Sequence, residues 1–503
     1  MAGKGLQEEI LKQVEKSFNE ETKFLSQLVK IRSLVGQEGE GQKFYAEACR
    51  KLGMKIEMFT PEKGKIKSHP AYISIDLEYP GRPNVIAEMA GTGGGRSLIL
   101  NGHIDVVSPE PLSLWTVDPW GGQVKENRLY GRGAVDMKAG LAANLYALKA
   151  LLDCGLKPKG KIILESTIEE ELGGSGGTLA CFIHGVTADG LVISEPSTEK
   201  IWVTHPGIRY FRVTVHGRTA HAALSHTGVN AIVKMVPIIK ALEALDLDRA
   251  KRLSYPLVQK QTGRPCNLSL GRMQAGDWVS TVAGWATLEC RVGFVPGETR
   301  QMIEAEINKT IQEAVQDDPW FRERPYKIEW FGWDTDPWVE PTDSSLLKSF
   351  QDTSKKIYGS APELSGASGG LDARFGRYFG TPSLSFGPTG ANYHGTDEYA
   401  DLASLLRVTK TLALFIADWC GIKEKKQAPN PKHQSREARD QINSKSEKNK
   451  KNDRNSKFQP IRPRRENLSV CQKGCFLRGQ TPKEYFKLGV WETGDRVFGV
   501  CWS

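Results

Sequence analysis

The sequence predicts an α/β fold in which helices flank a mostly parallel sheet, with a small α+β module inserted into that domain. Three short apolar runs between residues 97 and 195 are the main observation, because each reads as a buried strand that ends in polar side chains. A second observation is the alanine- and leucine-rich helical spacing that begins near Lys138. The carboxyl ends of parallel strands meet at one edge of a sheet, so we expect these polar groups to converge.

The first run is Ser-Leu-Ile-Leu-Asn-Gly-His103-Ile-Asp105-Val-Val. Side chains two residues apart on a strand point to the same face, so we expect His103 and Asp105 to lie side by side. A histidine next to a carboxylate is the pairing that metal sites use to bind an ion and to orient the ligand. An ordinary core histidine paired with an acid is the alternative for this motif taken alone.

Acidic side chains follow at the next turn and at the end of the second run. Gly131 and Gly133 allow a tight turn, so Asp136 is offered from a loop at a helix N-terminus. The second run, Lys-Ile-Ile-Leu-Glu-Ser-Thr-Ile, leads into three consecutive carboxylates, which are costly to place together unless positive charge lies among them. These carboxylates are Glu169, Glu170 and Glu171.

The third run ends in Glu195, and a second histidine comes late in the chain, in Asn-Tyr-His394-Gly-Thr-Asp-Glu-Tyr. Two imidazoles and several carboxylates, with few cysteines nearby, favour zinc, cobalt or manganese over an iron–sulfur cluster or a structural zinc centre. We therefore predict a metal site at the strand ends.

Five motifs, in this order, resemble those of the dinuclear-metal deacylases and peptidases, the family of acetylornithine deacetylase, succinyl-diaminopimelate desuccinylase, aminoacylase and glutamate carboxypeptidase. The similarity runs from about residue 10 to residue 421. It implies a zinc-exopeptidase-like catalytic domain with an inserted ferredoxin-like lid, closest in style to the acetylornithine deacetylase group. The motifs are Gly-His103-Ile-Asp105-Val-Val, Tyr-Gly-Arg-Gly-Ala-Val-Asp136-Met-Lys, Glu-Glu-Glu-Leu-Gly-Gly, Ser-Glu195-Pro and His394-Gly-Thr-Asp-Glu-Tyr.

The resemblance implies two bound divalent metal ions, zinc foremost, with cobalt and manganese as alternatives. It also makes Asp105 the carboxylate that orients His103, and Glu170 the general base that takes a proton from a water bridging the ions and returns it to the leaving amine. A shift of one residue within the glutamate triplet would exchange base and ligand, and the following Leu-Gly-Gly favours Glu170 as the base. The implied metal ligands are His103 and Glu195 for one ion, Glu171 and His394 for the other, and Asp136 for both.

The inserted module is predicted from a period-2 strand that ends at His216, a helix from about 230 to 245, strands around 266–275 and 284–294, and a helix from about 298 to 315. By resemblance it is a lid that also joins a homodimer. The resemblance further implies that His221 helps hold the oxyanion, often across the dimer, and that Asn267 and Arg291 grip the substrate. Arg374, in a glycine-rich loop, is a candidate partner for a substrate carboxylate, with a surface arginine in a tight turn as the alternative.

Four segments follow from these patterns: a first catalytic part at 1–205, the lid at 206–318, a second catalytic part at 319–421 and a basic tail at 422–503. The tail holds 20 Lys and Arg against 9 Asp and Glu, which leaves a net charge of −2 for residues 1–421. A nucleic-acid function of the enzyme body therefore has no electrostatic support. The composition of the tail predicts disorder to about residue 465. A lineage-specific extension or translation beyond the natural end is favoured over an RNA-binding or localisation arm.

The cysteines, the lengths of the apolar runs and the N-terminal sequence predict a cytoplasmic enzyme without a membrane partner. Nine cysteines at irregular spacings indicate reduced thiols and no disulfide framework. No run of 18 apolar residues is present, and the charged N-terminus lacks the apolar core of a signal peptide.

The predicted function is metal-dependent hydrolysis of an amide bond in a small N-acetyl, N-formyl or N-succinyl amino compound. The sequence leaves two alternatives open. One is a metallo-dipeptidase or carboxypeptidase that uses the same site, and the other is a catalytically inactive relative that only binds a ligand.

Overall fold

An eight-stranded mixed sheet forms the centre of this computed structural model, which describes residues 3–423 of the 503-residue chain. Its four central strands are parallel to one another. One of them, Leu98–His103, pairs with a parallel strand on each side. The three apolar runs thus become neighbouring parallel strands, as predicted. In spatial order the strands are Lys55–Phe59, Asn84–Met89, Ile162–Thr167, Leu98–His103, Leu191–Ile193, Ser383–Ser385, Ile201–Trp202 and Leu364–Ser365.

Helices cover this sheet, and the Ala139–Asp153 helix is the most deeply placed. Nearly all of its residues are buried, because small alanines let it pack between the sheet and the two longest helices of the domain. The α-helices outside the inserted module are Lys4–Lys30, Gly39–Lys51, Lys63–Ile66, Ala139–Asp153, Ala180–Ile183, Ser345–Tyr358 and Leu402–Cys420. Short 3₁₀ or π turns occupy Leu112–Leu114, Ala134–Lys138, Glu170–Leu172, Ser175–Leu179 and Asp372–Tyr378.

The inserted module is a four-stranded antiparallel sheet with two long helices, in the chain order β-α-β-β-α-β of a ferredoxin-like fold. We predicted that this module ends at residue 318, but the fourth strand of its sheet is Lys327–Thr335, which pairs with Gly207–His216. The strands in spatial order are Leu268–Ala275, Trp285–Phe294, Gly207–His216 and Lys327–Thr335. Its helices are Ala231–Arg252, Pro256–Thr262, Arg300–Val315 and Pro319–Glu323, with a 3₁₀ turn at Ala222–Thr227.

Three small sheets complete the described part of the chain. The first two residues of the segment predicted as a tail form a strand, Ile422–Lys423, and residues 424–503 lie outside the described residues. None of the helices within 3–423 combines the length and apolar character that crossing a bilayer requires. The strands are Gln123–Lys125, Arg128–Tyr130, Gly390–Ala391 and Tyr399–Asp401 in one sheet, Thr204–His205 with Trp338–Val339, and Lys157–Pro158 with Ile422–Lys423.

Candidate metal centre

A first group of potential metal ligands forms where two parallel strands end. His103 is the last residue of its strand, and its Nε2 atom lies 3.3 Å from Asp136 Oδ1 and 3.8 Å from Glu195 Oε1. His103 and Glu195 are buried. Ligand atoms of these three residues all lie within 4.8 Å of one another, so a single ion could contact all of them.

A second group contains His394, which comes from a loop near the C-terminal end of the domain. The Nε2 atom of His394 lies 2.9 Å from Glu171 Oε2 and 3.5 Å from Asp136 Oδ2. Asp136, Glu171 and His394 again present ligand atoms within 4.8 Å of one another. Because Asp136 belongs to both groups, the arrangement is that of a dinuclear site with one shared carboxylate.

The loop before the Ala139–Asp153 helix presents this shared carboxylate. Gly133 adopts a φ of +75°, which favours glycine, and Asp136 departs from helical geometry with φ −113° and ψ 94°. Burial opposes ionisation of Asp136, but hydrogen bonds and charge from His103 and His394 outweigh it and lower the pKa of the carboxyl below its usual range. Asp136 is therefore held as an anion between two imidazoles.

Asp105 contacts other residues of this site through both its backbone oxygen and its carboxylate. The Nδ1 atom of His103 lies 2.9 Å from the backbone oxygen of Asp105 and 3.6 Å from its carboxylate. The carboxylate accepts hydrogen bonds from the backbone N–H groups of Glu170 and Glu171, at 3.2 and 3.1 Å. Asp105 thus orients the imidazole and also holds the turn that carries the two glutamates.

The three consecutive glutamates have three different environments. Glu169, with a φ of +69°, turns inward and accepts a hydrogen bond from the Gly176 N–H at 2.9 Å. Glu171 belongs to the second ligand group, whereas Glu170 belongs to neither group and lines the adjoining cavity. The turn therefore separates one supporting acid, one acid that lines the cavity without belonging to a ligand group, and one potential metal ligand that also lines the cavity.

The electrostatics of this site fit a pair of cations. Burial, followed by the charge of Glu195, raises the pKa of Glu170 well above its usual range. Burial also raises the pKa of Glu195 to about 8, although His103 opposes the shift. Among the described residues, the buried Oε1 atom of Glu195 has no hydrogen-bond partner. Ions between these carboxylates would supply the missing positive charge, so the donor set of imidazoles and carboxylates fits two divalent metals.

A cavity of about 370 Å³ opens directly onto both ligand groups. Catalytic-domain residues and residues of the inserted module share its wall, as Tyr210 and Arg291 lie on module strands. Its wall is notable for four aromatic side chains, which offer flat apolar surfaces. They are Trp202, Tyr210, Trp333 and Tyr393.

Of the four residues predicted to contact substrate, one lines this cavity. Arg291 does so, and its Nη2 atom lies 3.3 Å from the Ser368 carbonyl. Asn267 is exposed and lines a separate small cleft, and His221 is exposed at the start of the Ala222–Thr227 turn.

Arg374 is buried, with 3% of its surface exposed. Its guanidinium donates to the carbonyls of Gly173 and Leu371 at 2.6 and 2.8 Å. The structure therefore places this side chain inside the protein, behind the glutamate turn, and outside the cavity wall.

The sequence patterns did not predict two features of the site. The aromatic wall was missed because Trp333 lies on the unrecognised fourth strand of the module, although Lys-Ile-Glu-Trp-Phe-Gly-Trp carries strand-forming aromatic residues. Glu398 was missed although it stands in the His394 motif, and its carboxylate accepts hydrogen bonds from the Asp136 loop.

A model of peptidase family M20/M25/M40 matches residues 99–418, more than half of the chain. The chain is 29% identical over 412 residues to N-formyl-4-amino-5-aminomethyl-2-methylpyrimidine deformylase of Halalkalibacterium halodurans. The matched region covers 76% of this chain and 90% of that protein. The protein of the same description from Bacillus subtilis is 29% identical over 371 residues, covering 69% and 85%. Among solved structures, the di-peptidase Dug1p of Saccharomyces cerevisiae superposes with a TM-score of 0.64 at 14% identity, covering 84% and 99%, which is a likeness of fold alone.

Proposed function

This chain belongs to peptidase family M20/M25/M40, and we propose that it is a two-metal hydrolase that removes a formyl group from an amine attached to a planar aromatic ring. Hydrolysis of a linear N-acyl amide is the reaction class that the motifs predicted. The observation that carries the proposal is the pair of ligand groups that share Asp136 and open into a cavity with aromatic walls. The two deformylase relatives support both the formyl group and the ring.

In this proposal His103, Asp136 and Glu195 hold one ion, and Asp136, Glu171 and His394 hold the other. Zinc is the proposed metal, and cobalt or manganese would suit the same imidazole and carboxylate donors. When bound, such ions lower the pKa of water and polarise the substrate carbonyl. Asp105 keeps the His103 ring oriented for this task through the contact at Nδ1.

Glu170 is the proposed general base. Its carboxyl group lines the cavity beside the ligand groups, and the Asp105 carboxylate fixes its backbone. Glu170 accepts a proton from the attacking water and returns it to the nitrogen of the leaving amine. Its burial keeps bulk water from competing for that proton.

The aromatic wall supports a flat leaving amine. A ring that enters the cavity meets the faces or edges of Trp202, Tyr210 and Trp333, and aromatic pairs of this kind contribute about 0.5–1.5 kcal/mol beyond area burial. Gln261 and Arg291 supply hydrogen-bond donors for the ring nitrogens of such an amine.

Arg291 favours a second candidate, an N-acyl amino acid or dipeptide as substrate. Burial lowers the pKa of this guanidinium, and a substrate carboxylate would be a natural partner for a cation in a cavity. The two candidates differ in the leaving amine and in the acyl group, and one substrate panel separates them.

A homodimer through the inserted module is also part of the proposal. Trp278 and Val279 are 70% and 94% exposed, and Leu224 is 54% exposed on the neighbouring turn. These segments are joined, since Ala222 N–H donates to the Ser280 carbonyl at 2.9 Å. A second copy on this apolar face would cover it and would bring the exposed His221 to the edge of an active site.

We further propose a cytoplasmic location. All six cysteines within the described residues are free, which suits a reducing compartment. Fractionation of cells that express the protein tests this point directly.

The experiment that tests the function compares Glu170→Gln with Glu171→Gln. We expect Glu170→Gln to lower kcat by about 10²–10⁴-fold, the usual contribution of a general base, while both metal ions stay bound. Glu171→Gln should lose activity together with metal, because it removes a ligand. Appreciable activity in Glu170→Gln would show that another group is the base.

The substrate panel uses wild-type protein loaded with zinc, cobalt or manganese. It contains N-formyl aminomethylpyrimidines and benzylamines, N-acetyl and N-succinyl amino acids, and dipeptides. Preferred cleavage of the formyl aromatic amides supports the proposal, and preferred cleavage of the carboxylate substrates supports the second candidate. Two bound metal equivalents with no cleavage of any substrate would favour the inactive ligand-binding alternative.

A further inference from the structure

A buried ion pair lies directly behind the loop that presents Asp136. The Glu398 side chain is fully buried and Arg132 is 2% exposed. One carboxylate oxygen of Glu398 accepts hydrogen bonds from the Val135 and Asp136 N–H groups, at 3.1 and 3.2 Å. The other oxygen accepts from the Gly133 N–H at 2.9 Å and from Arg132 Nη1 at 2.7 Å. A single side chain thus satisfies three backbone donors of this loop, as a buried backbone requires.

The same ion pair reaches the segment that carries His394. Arg132 Nη2 donates to the Gly395 carbonyl at 2.9 Å, next to that histidine. The Gly131 N–H donates to the backbone oxygen of Glu398, also at 2.9 Å. These hydrogen bonds therefore join the loop that carries Asp136 to the segment that carries His394, although the two are more than 260 residues apart in the chain.

We propose that Glu398 is a positioning residue of the metal centre which, with Arg132, sets Asp136 and His394 at the correct separation for the second ion. This inference rests on the two-metal site of the proposed function. Glu398 touches neither substrate nor ion in this scheme, and it acts through the backbone of the Asp136 loop.

The two ions differ in how many of their ligands depend on Glu398. The group of Asp136, Glu171 and His394 has two of its three ligands on the segments that Arg132 and Glu398 tie together. The first group keeps two ligands that sit at strand ends and do not depend on this pair. Loss of the Glu398 carboxylate should therefore weaken binding of the second ion more than binding of the first, which has only Asp136 on these segments.

The test is the Glu398→Gln variant, in which an amide NH₂ group replaces one acceptor oxygen and faces N–H donors. Cobalt alone is the probe, titrated into the full-length metal-free protein and followed by its visible absorption and by metal analysis. Wild type should bind two equivalents. Glu398→Gln should bind the second equivalent about 10- to 100-fold more weakly, the usual effect of losing a residue that supports a ligand, and should lose clearly less affinity for the first.

Two further variants keep the test decisive. Arg132→Lys retains the charge but cannot reach Glu398 and Gly395 together, so it should weaken the second ion even if Glu398→Gln fails to fold. Glu340→Gln is the matched control, since Glu340 is a buried carboxylate that accepts the Ser383 N–H at 3.1 Å, and it should bind both ions normally.

The inference would be overturned if Glu398→Gln bound both ions with wild-type affinity, or if its affinity for both ions fell by the same factor. If wild type itself fails to bind two equivalents, the proposed function is contradicted instead. Activity is not needed for either conclusion.

Discussion

Glu21 is buried among helices, and we expect it to make stability depend on pH in a direction that can be measured. It lies on the first long helix, is completely buried, and accepts a hydrogen bond from Thr409 Oγ1 at 2.6 Å. Its second oxygen has no hydrogen-bond partner among the described residues. Burial raises the pKa of Glu21 from 4.5 to about 8, although the Thr409 hydroxyl opposes the shift.

The sign and size of the effect follow from proton linkage. Between pH 4.5 and about 8 the folded protein retains the Glu21 proton, whereas the unfolded chain releases it. Stability from this group is therefore present at low pH and is lost as pH rises through that window. At ~1.4 kcal/mol per pH unit, the whole window corresponds to roughly 5 kcal/mol.

Glu21→Gln removes this dependence because an amide is neutral at every pH and keeps the shape of the side chain. We expect the variant to match wild type to within ~1 kcal/mol at pH 5, since each state retains a comparable hydrogen bond. At pH 8.5 it should be more stable by several kcal/mol.

Urea unfolding at pH 5, 6, 7 and 8.5, with saturating metal, measures the free energy of unfolding of both proteins. Glu8→Gln is the control, because Glu8 is exposed on the same helix. Metal binding varies with pH in all three proteins alike, so only the difference between variant and wild type is interpreted. A difference that stays constant from pH 5 to pH 8.5 would refute the reasoning.

Two further predictions concern the cavity and the inserted module. Arg291→Met should raise KM at least 10-fold for N-acyl amino acids and much less for N-formyl aromatic amines, because only the former carry a carboxylate for the guanidinium; equal increases in steady-state assays would contradict this role. Val279→Asp places a charge on the 94% exposed apolar loop and should convert a dimer into monomers on light scattering, with loss of activity if His221 acts across the dimer. A variant that stays dimeric, or a monomeric wild type, would contradict the proposed interface.

Local patterns predicted much of the fold because they report on neighbouring residues. Apolar runs ending in polar groups identified the three central strands, and period-2 and helical spacing identified most of the inserted module. The fourth strand of that module, Lys327–Thr335, was not recognised, because its pairing partner lies more than 100 residues earlier. A strand of this kind is defined by its partner as much as by its own sequence.

In the candidate site, too, local sequence patterns predicted some contacts, and others became apparent only in the structure. Strand geometry predicted that His103 and Asp105 lie side by side, but the strand ends at His103, and the imidazole contacts the backbone oxygen of Asp105. Only the structure reveals that the Asp105 carboxylate also holds the glutamate turn. An arginine in a glycine-rich loop suggested a substrate contact, yet Arg374 is turned inward to backbone carbonyls.

By itself, then, the sequence determined the strand ends, the kinds of side chain at them and the chemistry those side chains share. These properties depend on residue type and on spacing of a few positions, which are present before the chain folds. Only the tertiary structure decided that the Asp105 carboxylate holds the glutamate turn, that Arg374 bonds to backbone carbonyls, and that Glu398 links the His394 segment to the Asp136 loop. The physical reason is that such contacts join distant segments, and packing of the whole domain sets their distances.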